Sequence, residues 1–174
     1  MGTIANTKTK KQIVSNQVGG IVMIEIKISD LVDAIDLHSD ELRSVINLKT
    51  GEIYFISEDA ICHAEAEEDD LHEWQKEAME IAKHYLENES DYLCLPTQSD
   101  VNEYRIMEDF VSDLEDEKMA DQLLICLRGR GAFRRFKDGV ILLGIDKEWY
   151  RFRDERYKQF AIEWCEENNF RYKI

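Results

Sequence analysis

Residues 45–56 have the sequence VINLKTGEIYFI, in which two short runs of β-branched and aromatic residues flank a polar segment. The two runs have the composition of strands, and Lys49–Glu52 between them has the composition of a turn. Gly51 can take the positive φ that a tight turn requires, at no steric cost. This stretch therefore predicts an antiparallel hairpin and, with it, a sheet in the first half of the chain.

The segments around the hairpin carry further strand and helix signals. Alternating isoleucines before the hairpin indicate a short strand over residues 24–28. After the hairpin we expect an acidic linker over residues 58–70 and a helix over about residues 71–87, with Trp74 on its apolar face. A second short strand should follow and stop at Pro96.

Beyond that proline the apolar residues recur at helical spacing. We expect four helices, whose first residues lie near Asp100, Asp116, Ala132 and Asp146. Asp100 and Glu103 have the spacing of a capping box. Asp116 can cap the second helix, and Gly144 can follow the end of the third. In the third helix, Phe133 and Phe136 are predicted to face the core, and Trp149 is predicted to do so in the fourth.

These patterns together predict an α+β fold, with a small antiparallel sheet and its helices followed by a mainly helical C-terminal half. We expect a flexible leader over residues 1–22 and a single globular domain over residues 23–174. Within that domain, residues 23–96 should form the α/β part and residues 97–174 the helical part. A chain of 174 residues is long enough for one domain with a substantial core.

The composition is that of a soluble globular protein, with 44% hydrophobic and 34% charged residues. No apolar stretch approaches the roughly 20 residues that span a bilayer. The apolar run at residues 21–24 is also too short for the core of a signal peptide. The sequence therefore predicts a cytoplasmic protein with no membrane partner.

The sequence contains no strong motif for catalysis or metal binding. Its four cysteines are far apart, and we expect them to be reduced, with Cys94 and Cys126 in the core. His63-Ala64-Glu65 has the spacing of a zinc deaminase motif but lacks the downstream Pro-Cys-x-x-Cys. We expect no metal, no cofactor and no enzymatic activity, while a hydrolase or a nucleotide enzyme stays open as a third class.

The formal net charge is -15, and it is unevenly distributed along the chain. Between Glu58 and Asp91, 13 carboxylates face only two lysines, whereas residues 128–173 carry 12 Lys/Arg against 8 Asp/Glu. Most of the surface should therefore repel phosphate, which argues against nucleic-acid binding over the whole surface. Local binding of an anion through the C-terminal third stays open.

The densest positive charge lies in residues 128–137, RGRGAFRRFK, which we call the basic segment. Its two glycines precede a predicted helix and would expose backbone N–H groups at the positive end of that helix. Guanidinium groups can bind phosphate oxygens in pairs, and residues of the last helix could add a surface for stacking. The predicted anion-binding or partner-binding residues are Arg128, Arg130, Arg134, Arg135, Lys137, Tyr150 and Arg153.

The alternative is that the basic segment has a structural role. Arg134 and Arg135 would then pair with carboxylates of a neighbouring helix, such as Glu108, Asp109 or Asp113. Its phenylalanines would be core residues, and its glycines would serve a tight turn between helices. Five like charges at close range repel one another unless something neutralises them, which favours an external anion for the set as a whole.

The basic segment resembles the bacterial uncharacterised protein family 0158, as do the aromatic and charged residues 148–153. Residues 47–52 of the hairpin and residues 104–110 are also similar to that family. The resemblance covers most of the chain, from about residue 28 to residue 170. It implies a single compact fold, and it brings no activity with it.

We therefore expect a non-enzymatic binding protein that contacts a phosphate-bearing partner, such as RNA or a nucleoprotein, through the basic segment. The alternative is a regulatory factor that binds a basic protein through the acidic surface between Glu58 and Asp91. Salt should weaken that second kind of complex steeply, because exposed charges are screened within a Debye length.

Overall fold

The computed structural model describes residues 16–18, 21–37, 39, 41–66 and 70–174. Within these ranges the chain forms seven strands and eight α-helices. The strands are β1 (Asn16–Val18), β2 (Ile21–Met23), β3 (Glu25–Lys27), β4 (Leu42–Asn47), β5 (Ile53–Ser57), β6 (Tyr92–Cys94) and β7 (Arg171–Lys173). The helices are α1 (Ile28–Leu37), α2 (Glu58–Ala66), α3 (Glu73–Glu87), α4 (Gln98–Val101), α5 (Glu103–Ser112), α6 (Glu117–Cys126), α7 (Ala132–Leu142) and α8 (Asp146–Glu167).

The chain divides into two compact units. The first, which we call the sheet unit, contains the described residues up to Leu95 together with Cys165–Ile174. The second, the helical unit, is Pro96–Trp164. The boundary after Leu95 lies beside the predicted division between an α/β part and a helical part. The return of the last residues to the sheet unit was not predicted.

The predicted hairpin is confirmed, and it supplies two of the three strands of the central sheet. β4 lies in the middle, with Val45 opposite Tyr54 of β5 and opposite Cys94 of β6, both antiparallel. Gly51 closes the turn with a φ of 77° and donates its N–H to the Asn47 carbonyl over 2.7 Å. The last four residues of β4 are all buried, which makes this strand the centre of the sheet unit.

The prediction of an acidic linker over residues 58–70 is wrong, because residues 58–66 form α2. Ser57 Oγ accepts the N–H of Ala60 over 3.2 Å and so caps the start of the helix. The helix buries a narrow face of small and medium side chains, namely Ala60, Ile61 and Ala64. The acidic composition therefore concealed an amphipathic helix that packs on α3 and β5.

The predicted helix over residues 71–87 is confirmed as α3, but Trp74 does not belong to its buried face. The buried residues of α3 are Ala82 and Tyr85, and Trp74 is 60% exposed. Trp74 lies in the first turn, before the half-buried Ala78 at which the packed side of the helix begins. The start of α3 thus presents a large aromatic ring to solvent.

Two further strand pairs lie in the sheet unit. β3 and β7 pair in parallel, with Ile26 opposite Tyr172, and β1 and β2 pair antiparallel. β7 was not predicted, because three residues give no usable periodicity and the partner strand is distant in sequence. Of the predicted leader, residues 16–18 and 21–22 lie in β1 and β2, and residues 1–15 and 19–20 lie outside the described residues.

Aromatic side chains form the core of the helical unit. Trp149 of α8 is fully buried and packs edge-to-face on Phe110 of α5 and Phe136 of α7, with ring centroids 5.4 and 4.8 Å apart. The predicted inward positions of Trp149 and Phe136 are confirmed. Phe133, which was predicted to be buried as well, is 45% exposed. The buried row of α7 consists of Ala132, Phe136 and Val140, at i, i+4 spacing, and excludes it.

Side chains cap the helices of the helical unit. Asp116 caps α6 as predicted, since its Oδ1 accepts two backbone N–H groups of the first turn. The predicted capping box of Asp100 with Glu103 is wrong. Asp100 Oδ2 instead accepts the N–H of Thr97 over 2.7 Å, and Asn102 caps α5. The difference arises because α4 is a separate short helix with its own cap.

The architecture is α+β, as predicted, with a small antiparallel sheet and a mainly helical C-terminal half. The longest described helix, α8, has 22 residues and is rich in charged side chains. Among the described residues, no helix combines the length and the apolar character needed to cross a membrane.

All four cysteines are free thiols, but their environments differ. Cys62 and Cys94 are exposed, so the predicted core position of Cys94 is wrong, because this residue ends an edge strand of the sheet. Cys126 is half-buried and Cys165 is buried. Burial raises the pKa of the Cys165 thiol to about 11, with a smaller contribution from the Glu166 carboxylate.

We expect Cys165 to react with iodoacetamide far more slowly than Cys62 and Cys94 in the folded protein. Its raised pKa leaves roughly a hundredth of the usual thiolate at neutral pH, and burial limits access of the reagent. Peptide mass spectrometry after timed alkylation measures each rate, and urea-unfolded protein is the control in which the rates should converge. Labelling of Cys165 as fast as Cys94 in the folded protein would contradict its assigned burial.

Candidate functional site

The basic segment forms the connection between α6 and α7 and the first part of α7. Gly129 and Gly131 both take left-handed conformations, with φ of 74° and 76°, which residues with a Cβ rarely adopt. They turn the chain within a few residues from the end of one helix to the start of the next. The backbone therefore needs glycine at these two positions, whatever the arginines between and beside them do.

Arg135 holds this connection together. Its guanidinium donates hydrogen bonds to the backbone carbonyls of Cys126 over 3.2 Å and Gly129 over 3.4 Å, and also to those of Arg128 and Arg130. These carbonyls include groups at the C-terminal end of α6, where a cation is favourable. Arg135 is a predicted site residue, and its guanidinium fixes the shape of the loop through these hydrogen bonds.

Arg128, Arg130 and Arg134 extend from this fixed loop into solvent. All three are exposed, and Arg128 and Arg130 form no ion pair with any described residue. Arg134 lies 3.9 Å from Asp138 in a pair whose side chains are 90% and 71% exposed. Such a pair contributes little, because both partners stay hydrated. The first turn of α7 also contains no acidic residue, so the positive end of its dipole is not neutralised locally.

Lys137 and Arg153 face a carboxylate of their own unit. Arg153 Nε donates to Glu103 Oε1 over 3.2 Å, and Lys137 Nζ lies 4.0 Å from the same oxygen. The side chains of Glu103 and Arg153 are only 12% and 16% exposed, and the guanidinium stacks on the buried Tyr157 ring at 4.0 Å. These two basic residues thus belong to an ion-pair network within the helical unit. The alternative pairing of Arg134 and Arg135 with Glu108, Asp109 or Asp113 is not found among the described residues.

Two aromatic side chains of the helical unit are exposed, one at a predicted site residue and one elsewhere in the basic segment. Tyr150 of α8 is 45% exposed. Phe133 is equally exposed and lies in the basic segment itself, with its ring 6.4 Å from that of Tyr104. Tyr104 is in turn fixed by a hydrogen bond from its hydroxyl to the Leu127 carbonyl. Sequence reasoning missed Phe133, although its position just after Ala132 places it off the buried i, i+4 row.

Neither a cluster of metal-binding residues nor the cavity of the helical unit involves the described basic segment. In the part of the chain that the structure describes, no group of three or more His, Cys, Asp or Glu residues is placed to hold a metal ion. A cavity of about 530 Å³ in the helical unit lies around Phe110, Phe152 and Arg151, and no residue of the basic segment lines it. The arginines of the segment are exposed, which suits an extended anionic partner more than a small enclosed ligand.

Comparison with known proteins gives one family. The uncharacterised protein family UPF0158 matches residues 22–174. A UPF0158 protein of Pseudomonas aeruginosa is 30% identical over 86 residues, which are 48% of this chain and 56% of that protein. The chain thus spans about half the length of the curated relative it matches. No solved structure matches the chain.

Proposed function

The chain belongs to the uncharacterised protein family UPF0158, and from its own surface we propose that it is a non-enzymatic binding protein that contacts a phosphate-bearing polymer, such as RNA, through the basic segment. The proposal assigns contact with phosphate to Arg128, Arg130 and Arg134. It assigns a supporting role to Arg135, whose guanidinium fixes the loop.

One observation carries this proposal. The loop is held in shape by Arg135, and two of the arginines that it presents, Arg128 and Arg130, are exposed without an ion pair to the described residues. Like charges that a fixed loop brings close together repel one another in the isolated protein, which costs electrostatic free energy. An anion that bridges several guanidinium groups would recover that free energy, because charge-assisted hydrogen bonds to phosphate are strong.

The strong negative charge of the whole chain supports a local mode of binding. A net charge of -15 opposes contact between phosphate and most of the surface. A short contact through a few arginines is compatible with this charge, whereas wrapping of a long duplex is not. A cytoplasmic location is part of the proposal, and the four free cysteines, two of them exposed, are consistent with a reducing compartment.

The test is fluorescence anisotropy with labelled single-stranded and double-stranded RNA and DNA at low and moderate salt. We expect saturable binding by the wild type and its loss in the Arg130→Glu/Arg134→Glu variant. Where the variant still binds duplex DNA measurably, the slope of log K against log salt should be shallower by about 2, roughly 0.9 for each of the two phosphate contacts removed. Circular dichroism and the midpoint of thermal unfolding establish whether the variant is folded.

A matched control separates the basic segment from general electrostatics. Lys118→Glu/Lys147→Glu makes the same change in net charge at two exposed positions of the helical unit that lie outside the segment. We expect this variant to bind within about threefold of the wild type, since distant exposed charges are screened. Equal losses in both double variants, or no binding of any of the four nucleic acids by the wild type, would refute the proposed function.

A further inference from the structure

The exposed side of α3 in the sheet unit combines apolar and acidic residues. Trp74 is 60% exposed and Ile81, two turns later on nearly the same side, is 37% exposed. Glu77 lies between them at i+3 from Trp74, and Glu80 lies on the adjoining side of the helix. Large exposed apolar side chains flanked by charge are typical of surfaces that bind another protein.

Next to this side of α3, the structure contains an open cavity of about 430 Å³. The β4–β5 hairpin and β6 contribute Tyr54 and Tyr92 to its wall, and α3 contributes Glu77, Glu80 and Ile81. Its volume lies within the roughly 300–1,000 Å³ that ligand-binding pockets occupy. We call this cavity, together with the exposed Trp74 one turn before Glu77 on α3, the acidic groove.

The polar groups of the wall are held in place by contacts within the unit. The Tyr54 hydroxyl donates to Glu52 Oε2 over 2.6 Å, and the Tyr92 hydroxyl lies 2.7 Å from His84 Nδ1. The two tyrosine rings pack edge-to-face with centroids 6.1 Å apart. The groove is therefore a preformed surface, and its aromatic rings do not need to be ordered when a ligand binds.

The chemistry of the groove favours a cation. Its lining includes the carboxylates of Glu77 and Glu80 and no Lys or Arg. Aromatic faces attract ammonium and guanidinium groups, and carboxylates near such faces add to the attraction. The groove also lies in the most acidic part of the chain, where the 13 carboxylates between Glu58 and Asp91 outnumber the two lysines of that range, although Arg43 and Lys49 pair with the end residues Glu58 and Asp91. That surrounding field would attract a basic partner before contact.

We propose that the acidic groove binds a basic peptide segment of a partner protein. A lysine or arginine side chain of that segment occupies the cavity beside Glu77 and Glu80, and a neighbouring apolar side chain packs on Trp74 and Ile81. This site is independent of the basic segment and goes beyond the proposed contact with a phosphate polymer. It gives the acidic surface a defined partner chemistry and a defined place.

The test uses a short fluorescein-labelled peptide of lysine, leucine and glycine, with the same peptide carrying glutamate in place of lysine as the control probe. Anisotropy titrations of the full chain should show saturable binding of the basic peptide alone. Glu77→Gln/Glu80→Gln should weaken that binding at least about fivefold, because it removes the two carboxylates nearest the cation. Glu87→Gln/Glu89→Gln changes the net charge equally at exposed positions outside the groove, and it should change affinity by less than about twofold.

Trp74→Ala isolates the apolar part of the contact. It should weaken binding about tenfold, and that loss should persist at high salt, where the contribution of the carboxylates is screened. Equal losses in the two glutamine variants would refute the proposal, since they would indicate general attraction to an acidic protein. A dimer in sedimentation experiments that Trp74→Ala dissociates would also refute it, because the groove would then be covered by a second copy of the chain.

Discussion

The Trp149→Ala variant is expected to destabilise the helical unit by about 3–5 kcal/mol, the range found when a buried aromatic residue is truncated. The indole is fully buried and packs between Phe110 of α5 and Phe136 of α7, so its removal leaves a cavity that three helices surround. Amide hydrogen exchange of peptides from residues 96–164 measures the loss within the unit itself. Protection of α5, α7 and α8 should fall together.

Trp74→Ala is the matched control, because it removes the same side chain from a position where it is 60% exposed. We expect the free energy of unfolding of the sheet unit to change by less than about 1 kcal/mol, as is usual for surface substitutions. If Trp149→Ala raised exchange in the helical unit no more than Trp74→Ala raised it in the sheet unit, the effect of Trp149→Ala could not be attributed to burial of the indole.

Glu103→Ala should destabilise the helical unit by roughly 3 kcal/mol, because it removes the carboxylate from a largely buried ion pair. Glu103 and Arg153 are 12% and 16% exposed, and Arg153 Nε donates to Glu103 Oε1 over 3.2 Å. Without the carboxylate, the guanidinium keeps its charge in a poorly hydrated site, where the exposed Asp154 carboxylate, 3.9 Å away, compensates that charge only weakly. Lys137, whose side chain is 46% exposed, can return to solvent and contributes less to the loss. The loss is measured by urea unfolding followed through circular dichroism, with hydrogen exchange to assign it to the unit.

Glu117→Ala is the control for this prediction. Glu117 and Glu103 are each the first residue of a helix, so both should gain about 0.3–1 kcal/mol from the helix dipole. Glu117 is exposed and forms no ion pair with a described residue, so its removal should cost no more than that amount. Similar losses in the two variants would mean that the ion pair of Glu103 adds nothing to the contribution of the dipole.

The sequence predicted the elements whose signals are local. The hairpin around Gly51, the cap at Asp116 and the end of α7 before Gly144 each follow from a few adjacent residues. α2 was missed because its buried face consists of alanines and one isoleucine within an acidic run. β7 was missed because a strand of three residues is specified by its partner β3 and has no pattern of its own.

The candidate site was predicted as a segment but not as a division of roles among its residues. Composition placed five basic residues together, yet it could not distinguish the loop-fixing Arg135 from the exposed Arg130, since both are arginines beside a glycine-rich turn. Nor could it assign Lys137 to Glu103, because that pair depends on how α5 and α7 pack. The exposure of Phe133 could have been predicted, because residues 132, 136 and 140 form the buried i, i+4 row of α7 and position 133 lies off that row.

The parallel pairing of β3 with β7 has a consequence for biosynthesis. Residues 96–164 of the helical unit leave the ribosome before residues 171–173, whereas β3 leaves it long before both. Ile26 therefore lacks its partner strand until the residues up to Lys173 have been synthesised, although it is among the first described residues to be made. The sheet unit can thus be completed only after the whole helical unit has been synthesised.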